Sequence, residues 1–417
     1  MKVLLSAYAC EPDKGSEPGV GWRWATELAG LGHEVTVITR SNNRASIDKA
    51  LAKTRFAGLS FYYYDLRPWA KWWKHGSQGL HLYYWLWQRG AYHLARKLAS
   101  KTQFDLVHHI TFGVFRQPSF MGRLGLPFVI GPLGGGDLTP RLLRGGIPSA
   151  DAFKERLREL SNHLAYLDPS LSRMYKQATL IFCKTPETLA VLPHFCREKS
   201  RVQLEIGLEP EHIMSEAGVP VARAEFLYAG RLLHLKGLHL AFKAFSELRR
   251  NQPDATFTVI GTGPAEAWLK KLSTALGLGD SVKWLGWISH EEIWAHYGHY
   301  TAFVFPSLHD SSGNVVLEAL SQALPVICLD TGGPGAILPL SCGIKVAVKN
   351  RSESEVIHDL AEAMRKLVSD SELRAQMGRE ALAAAKANTW RNVVSQTYAQ
   401  IDSVLDASRK RLADRTN

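Results

Sequence analysis

Short apolar runs alternate with stretches whose apolar residues recur every three or four positions, along nearly the whole chain. Residues 2–9 (KVLLSAYA) read as a first buried strand. Residues 20–31 (VGWRWATELAGL) place Trp22, Ala25, Leu28 and Ala29 on one helical face, and Gly32 stops that helix. Glu34–Thr39 is the next strand, and further runs follow at Phe61–Tyr64, Asp105–His109, Pro127–Ile130 and Ala178–Cys183. This alternation predicts βαβ units around a parallel sheet. A polar stretch with Gly and Pro but no periodicity, 206–222, precedes a second round of the same theme. Its strands are Glu225–Ala229, Ala255–Ile260, Ser281–Leu285, Ala302–Phe305 and Val326–Leu329, with helices starting near Leu235, Pro264, His290 and Gly313. Beyond 350 the pattern is helical to the end. The expected architecture is α/β: two Rossmann-like domains, 1–205 and 223–388, joined by a linker at 206–222. A C-terminal helix, 389–417, returns to the first domain. The two parallel sheets would face one another across a cleft at the C-terminal ends of their strands, where open α/β sheets place ligands.

Charge alters this even picture. The 417 residues include 50 Lys+Arg and 39 Asp+Glu, a net +11. Residues 1–200 hold 27 basic and 15 acidic side chains, against 23 and 24 in residues 201–417. Residues 51–150 alone hold 13 and 3. Such a split suggests an anionic partner for the first half, a membrane surface or nucleic acid. The same half carries five of the 12 Trp between Trp69 and Trp87, in a segment 61–92 with one acid, Asp65. Trp and Tyr flanked by Lys and Arg suit a membrane interface, and they also stack on sugars or bases. An aromatic core accounts for part of the run, less readily for Trp-Ala-Lys-Trp-Trp-Lys. No stretch approaches the ~20 apolar residues that span a bilayer. The N-terminal apolar run is too short for a signal peptide. The five Cys (10, 183, 196, 328, 342) are scattered without a C-x-x-C. They argue against a disulfide framework or a zinc site and for a reducing cytosol.

Four segments could carry chemistry. In Phe305–Ser321 a strand ends, cap residues Ser311, Ser312 and Asn314 follow, Gly313 opens the backbone, and a helix begins. That helix end is an anion site. Asp310 stands just outside it and Glu318 two turns inside, an arrangement suited to a ligand with both phosphate and sugar hydroxyls. In isolation the pair also reads as a cap and a solvated helix residue. Gly230, Arg231, Lys236 and Gly237 follow another strand end; Arg offers a fork to phosphate oxygens and Lys a point charge. Two cations at a helix start oppose its dipole unless an anion neutralises them. Gly261 and Gly263 form a G-x-G after a strand, which allows close approach to a nucleotide but is a weak signal alone. Gly15–Gly21 opens the first helix. The strand end His108-His109 could turn a histidine into the cleft, although a satisfied core histidine is the commoner outcome for either. Gly134–Gly136 and Asp137 end a further strand. His290, His296 and His299 lack the H-E-x-x-H spacing of a zinc site.

Taken together, these motifs resemble the retaining family-4 glycosyltransferases of the GT-B fold, most closely over 223–335. The N-terminal segment is similar to bacterial members that build cell-surface polysaccharides. The resemblance implies that Arg231 and Lys236 bind the diphosphate of a UDP- or GDP-sugar. It implies that Glu318 contacts the ribose, that Asp310 contacts the sugar hydroxyls, and that His109 or His108 lies near sugar and acceptor. Gly15, Gly19, Gly230, Gly261, Gly263, Ser312, Gly313, Asn314, Gly332 and Gly333 would line the donor. Asp310 replaces the usual Glu and is about 1.5 Å shorter. The implied reaction needs no cofactor and no metal. The implied partners are the nucleotide-sugar and a glycan or lipid-linked acceptor, with an anionic membrane surface met by 61–92 and no nucleic acid. The expected location is the cytoplasm, peripheral on the cytoplasmic face of the inner membrane. A nucleotide-sugar epimerase on the same fold, and a non-catalytic nucleic-acid or membrane-binding protein, are the alternatives.

Overall fold

The computed structural model describes residues 1–416 except Lys71, His75, Ser77 and 219–222. Side chains are left undescribed at His290, Glu291, Ala295 and 411–416. The last four residues of the expected linker therefore lie outside the described residues.

The chain forms two units. One comprises 1–136, 161–206 and 390–417; the other comprises 137–160 and 207–389. Residues 137–160, expected within the first domain, thus pack with the second unit. The first unit holds β1 (Lys2–Ser6), β2 (Glu34–Arg40), β3 (Leu59–Tyr64), β4 (Leu106–His109), β5 (Phe128–Leu133), β6 (Leu180–Cys183) and β7 (Ser200–Val202). These pair in the order β3-β2-β1-β4-β5-β6-β7, all parallel. Between them run α1 (Ser16–Gly30), α2 (Arg44–Lys53), α3 (Leu80–Ala99), α5 (Pro169–Gln177) and α6 (Pro186–Ala190), while α4 (Ser149–Leu164) lies up to residue 160 in the second unit. The inner strands are apolar on both sides because helices cover both faces. Val3, Leu4 and Leu5 of β1 are fully buried, as are Leu106 and Val107 of β4. On α1, Trp22, Ala25 and Leu28 are buried as the periodicity predicts, while Ala29 is half-buried. Trp24 joins them and donates its indole N–H to the Glu205 carbonyl at 2.8 Å.

The second unit repeats the plan with β8 (Glu225–Ala229), β9 (Thr256–Ile260), β10 (Val282–Gly286), β11 (Ala302–Phe305), β12 (Val326–Leu329) and β13 (Gly343–Val346). The order is β10-β9-β8-β11-β12-β13, again parallel. Its helices are α7 (Leu238–Arg249), α8 (Glu266–Ala275), α9 (His290–Tyr297), α10 (Asn314–Ser321), α11 (Gly332–Ile337), α12 (Glu353–Ser369) and α13 (Ser371–Ala387). The chain closes with α14 (Trp390–Thr416). Leu238, Phe242 and Phe245 line one face of α7 at helical spacing and are buried. Phe242 and Phe245 meet Phe257 of β9 edge to face, with ring centroids 5.7 and 5.4 Å apart. Each such side chain contributes about 1.5–3 kcal/mol by leaving water. Ser289 and Ser352 start α9 and α12 through reciprocal bonds with Glu292 and Glu355, which stabilises each helix start by about 1 kcal/mol.

In both sheets the strand order reverses direction beside the first strand, between β1 and β4 and between β8 and β11. The loops leaving those strands diverge and open a crevice at each reversal point. Each of the expected constellations sits on a loop at one of these two places or beside it.

Candidate functional site

At the second sheet, the loop after β8 carries Arg231 and Lys236, and the loop after β11 carries Asp310. Lys236 donates its ammonium to Asp310 Oδ2 at 2.5 Å. Asp310 Oδ1 accepts the backbone N–H groups of Ser312 and Gly313, both at 3.0 Å. Burial alone would raise the Asp310 carboxyl, but the Lys236 charge and the two N–H groups outweigh it and hold it below the usual Asp value. The helix start at 312–314, expected to hold an anion, thus already holds one from the protein itself. Both Asp310 oxygens have protein partners, so the expected sugar contact has only the remaining lone pairs to use. Asn314 follows, with its side-chain oxygen buried and without a partner among the described residues. Arg231 is exposed and forms no ion pair among the described residues. Glu318 accepts a hydrogen bond from the hydroxyl of fully buried Tyr297 at 3.1 Å. The bland alternative of a freely solvated Glu318 does not describe it.

The glycines serve loop packing. A Cβ on Gly261 would lie 2.1 Å from the Gly230 carbonyl oxygen, and one on Gly263 2.3 Å from that of Leu232. At this G-x-G two loops of the protein approach each other closely. Gly332 and Gly333 do the same against the β11 loop: Gly333 N–H donates to Asp310 O at 2.7 Å. A Cβ on Gly332 would meet that oxygen at 2.5 Å. Gly313 caps α10 in a left-handed conformation, φ 64°.

Residues 137–160 reach these loops, and the sequence pattern showed no sign of it. Asp137 accepts from the Ser311 hydroxyl at 2.5 Å. His234, two residues before Lys236, meets Asp151 on α4 at 2.7 Å. Glu155, fully buried, accepts from Thr139 N–H at 3.2 Å and Oγ1 at 2.9 Å and pairs with Arg158 at 2.5 Å. Arg158 Nη1 in turn lies 3.0 Å from Nε2 of His309, next to Asp310. Burial and then the Arg158 charge push His309 down to about 4, so its ring is neutral and accepts from Arg158. The pairs that join this segment to the loops of His234, His309 and Ser311 are 83 to 174 residues apart in the chain, beyond the reach of any local motif.

At the first sheet, His108 is fully buried: Nδ1 lies 3.2 Å from the Tyr398 hydroxyl and Nε2 2.9 Å from Gly131 O. Both its ring nitrogens have protein partners, as in a satisfied core histidine. His109 is 2% exposed, with Nε2 3.0 Å from the Tyr84 hydroxyl and Nδ1 3.2 Å from Ser6 Oγ. Burial lowers His108 to about 4; burial and then His108 itself lower His109 to about 3. Both are neutral at pH 7. Gly15 is the exposed residue ahead of α1, and Gly19 is buried within its first turns.

The segment 61–92 divides. Tyr83, Tyr84 and Trp87 of α3 are core residues, and Trp87 donates its N–H to Tyr64 O at 2.9 Å. Trp69 and Trp72 are 73% and 76% exposed. Lys71 and His75 of the same run lie outside the described residues. No helix among the described residues is long and apolar enough to cross a membrane.

Residues 211–383 match the family described as Glycosyl transferases group 1. Among curated proteins, alpha-D-kanosaminyltransferase of Streptomyces kanamyceticus is 34% identical over 163 residues, 38% of this chain and 41% of that protein. The aligned stretch thus spans about two fifths of that relative's length. Among solved structures, sucrose-phosphate synthase from Thermosynechococcus elongatus covers 97% of this chain and 99% of its own, with a TM-score of 0.63 at 17% identity. HepE of Anabaena in complex with UDP and glucose covers 97% and 100%, with a TM-score of 0.59 at 16% identity. These last two likenesses are ones of fold, and the fold is GT-B. The matched stretch holds Arg231, Lys236, Asp310 and Glu318.

Proposed function

We propose that the protein is a retaining glycosyltransferase that moves a sugar from a nucleoside diphosphate-sugar to an acceptor hydroxyl in the synthesis of a bacterial cell-surface polysaccharide. The observation that carries this reading is the Lys236–Asp310 pair at the reversal point of the second sheet, inside the matched stretch. The solved complex of HepE with UDP and glucose supports the choice of donor class. Arg231 brings an uncommitted guanidinium to the diphosphate. Lys236, held in place by Asp310, supplies a second cation with further N–H donors. These two charges take the part a metal ion would take, stabilising the leaving phosphate as its C–O bond breaks. The acceptor oxygen bonds the anomeric carbon on the same face, and its proton passes to a leaving phosphate oxygen. Glu318, anchored by Tyr297, accepts from the ribose hydroxyls. Trp69 and Trp72 bring the first unit to an anionic membrane surface on the cytoplasmic side, where the acceptor is lipid-linked.

The test is a thermal-shift screen with UDP, GDP and their sugars. A binder at 100 times its Kd stabilises the fold by about 2.7 kcal/mol. No shift with any of them would sink the donor assignment. Turnover that survives EDTA supports the metal-free site, and strict dependence on a divalent ion overturns it.

A further inference from the structure

Helix α4 is amphipathic in the reverse of the usual sense. Its acids Asp151, Glu155 and Glu159 recur at every fourth position and point inward. There they meet His234, Thr139 with Arg158, and Arg141 with Arg144. At 100° per residue the opposite face carries Phe153, Leu157, Leu160 and Leu164. In a soluble helix that stripe faces the core. Here it faces out: Phe153 is 59% and Leu160 55% exposed, and Leu157 and Leu164 are exposed as well. The stripe runs about 17 Å along the helix. Its borders are basic, with exposed Lys154 on one side and exposed Arg156 on the other. All three acids have partners, Asp151 both His234 and, at 2.8 Å, the bordering Lys154, so the stripe carries no acid of its own and is edged by Lys154 and Arg156.

We propose that the outward face of α4 is a docking surface for an anionic lipid bilayer, lying in the headgroup region with Phe153, Leu157, Leu160 and Leu164 sunk toward the acyl chains. An apolar stripe bordered by cations is the composition of helices that lie flat in a bilayer interface. The borders name the partner: a neutral apolar protein groove would leave Arg156 without a use, whereas anionic headgroups attract it together with Lys154, whose side chain stays 72% exposed beside Asp151. The ion-paired inward face ties this surface to the loops of Lys236 and Asp310, since His234 and His309 are its partners. This deepens the membrane part of the proposed function and rests on it for the identity of the partner, but assigns it to a surface separate from Trp69 and Trp72.

The experiment is co-sedimentation of the full chain with vesicles of phosphatidylglycerol and phosphatidylcholine in equal parts, and with phosphatidylcholine alone, at low salt. Three variants are compared with the unmodified chain: Phe153→Ser with Leu157→Ser, Lys154→Glu with Arg156→Glu, and Trp69→Ser with Trp72→Ser. Circular dichroism and a thermal melt check that each is folded. The expected result is binding to anionic vesicles that falls tenfold or more in the apolar pair and about fivefold or more per reversed charge. If both α4 variants bind as the unmodified chain does while the Trp pair fails, α4 is not the surface, although the membrane reading stands. If the unmodified chain binds neither vesicle, both are overturned. A concentration-dependent dimer in light scattering that the apolar pair abolishes would identify a second copy of the chain as the occupant and overturn the lipid proposal. Unchanged thermal shifts with nucleoside diphosphates in all variants keep any of these outcomes apart from the donor assignment.

Discussion

The same topological place occurs twice in this molecule, and the two copies are built from opposite materials. At the end of β4 stand two neutral histidines, closed in and hydrogen-bonded to Tyr398, Gly131, Tyr84 and Ser6. At the ends of β8 and β11 stand Lys236, Asp310 and Arg231, with one guanidinium uncommitted. A buried neutral network fixes structure, because each of its groups costs stability when left unpaired. A partly open ion pair at loop ends keeps charge available for a charged ligand. The comparison teaches that sheet geometry offers a site in both units, and that loop chemistry decides where an anion can be held.

The sharpest way to break this contrast is Lys236→Ala. Turnover should fall ~100–1000-fold while the melting temperature moves little, measured by steady-state kinetics and calorimetry on the same sample; a near-normal rate would remove Lys236 from the site. His108→Leu should do the reverse. It leaves the Tyr398 hydroxyl and Gly131 carbonyl unpaired, at about 1–3 kcal/mol each, seen as a lower denaturant midpoint, with turnover per folded molecule unchanged. A large rate loss without destabilisation would return His108 to the reactive groups. A pH series reads the neutral histidines directly. His108, His109, His239 and His309 all titrate well below the usual His value in the fold. The unfolded chain therefore takes up protons first as pH drops below about 6.5. Stability is full above that pH and is lost toward pH 4, by about 1.4 kcal/mol per unit for each such histidine. A flat stability between pH 6.5 and 4.5 in urea titrations would contradict their burial. The smallest effect is expected from Ser311→Ala, which removes one hydrogen bond to Asp137 and should cost about 0.5–1.5 kcal/mol with a modest change in rate.

Much of the fold was legible because buried parallel strands leave unmistakable apolar runs. Glu225–Ala229, Ala302–Phe305 and Val326–Leu329 coincide with β8, β11 and β12 residue for residue. The runs at the start of the chain misled at their ends: residues 7–9 are as buried as β1 but continue as loop. Burial sets the pattern there, whereas pairing sets the strand. β7 and β13 were missed because three or four residues, partly polar, carry no period. The loops with Arg231, Lys236 and Asp310, and Glu318 on α10, were readable from charge and glycine placement, although not the ion pair that joins Lys236 to Asp310. Asp151, Glu155 and Arg158 were opaque for a different reason. Their charges look like an ordinary solvated helix face until the fold shows that face turned inward and the leucines turned out. In the aromatic segment, composition could not separate Trp87 in the core from Trp69 and Trp72 at the surface.

One feature of the chain's path bears on its synthesis. Neither unit is a continuous stretch: the second borrows 137–160 and the first waits for 390–417. On the ribosome the first sheet can be made early, but the Tyr398 hydroxyl that meets His108 emerges only 290 residues after it. A fragment cut at residue 206 would therefore leave that ring nitrogen without its partner. A fragment of 207–389 alone would lack the partners of His234, His309 and Ser311. The protein must be handled as one piece, and an assay of either half in isolation would measure a molecule with its seams open.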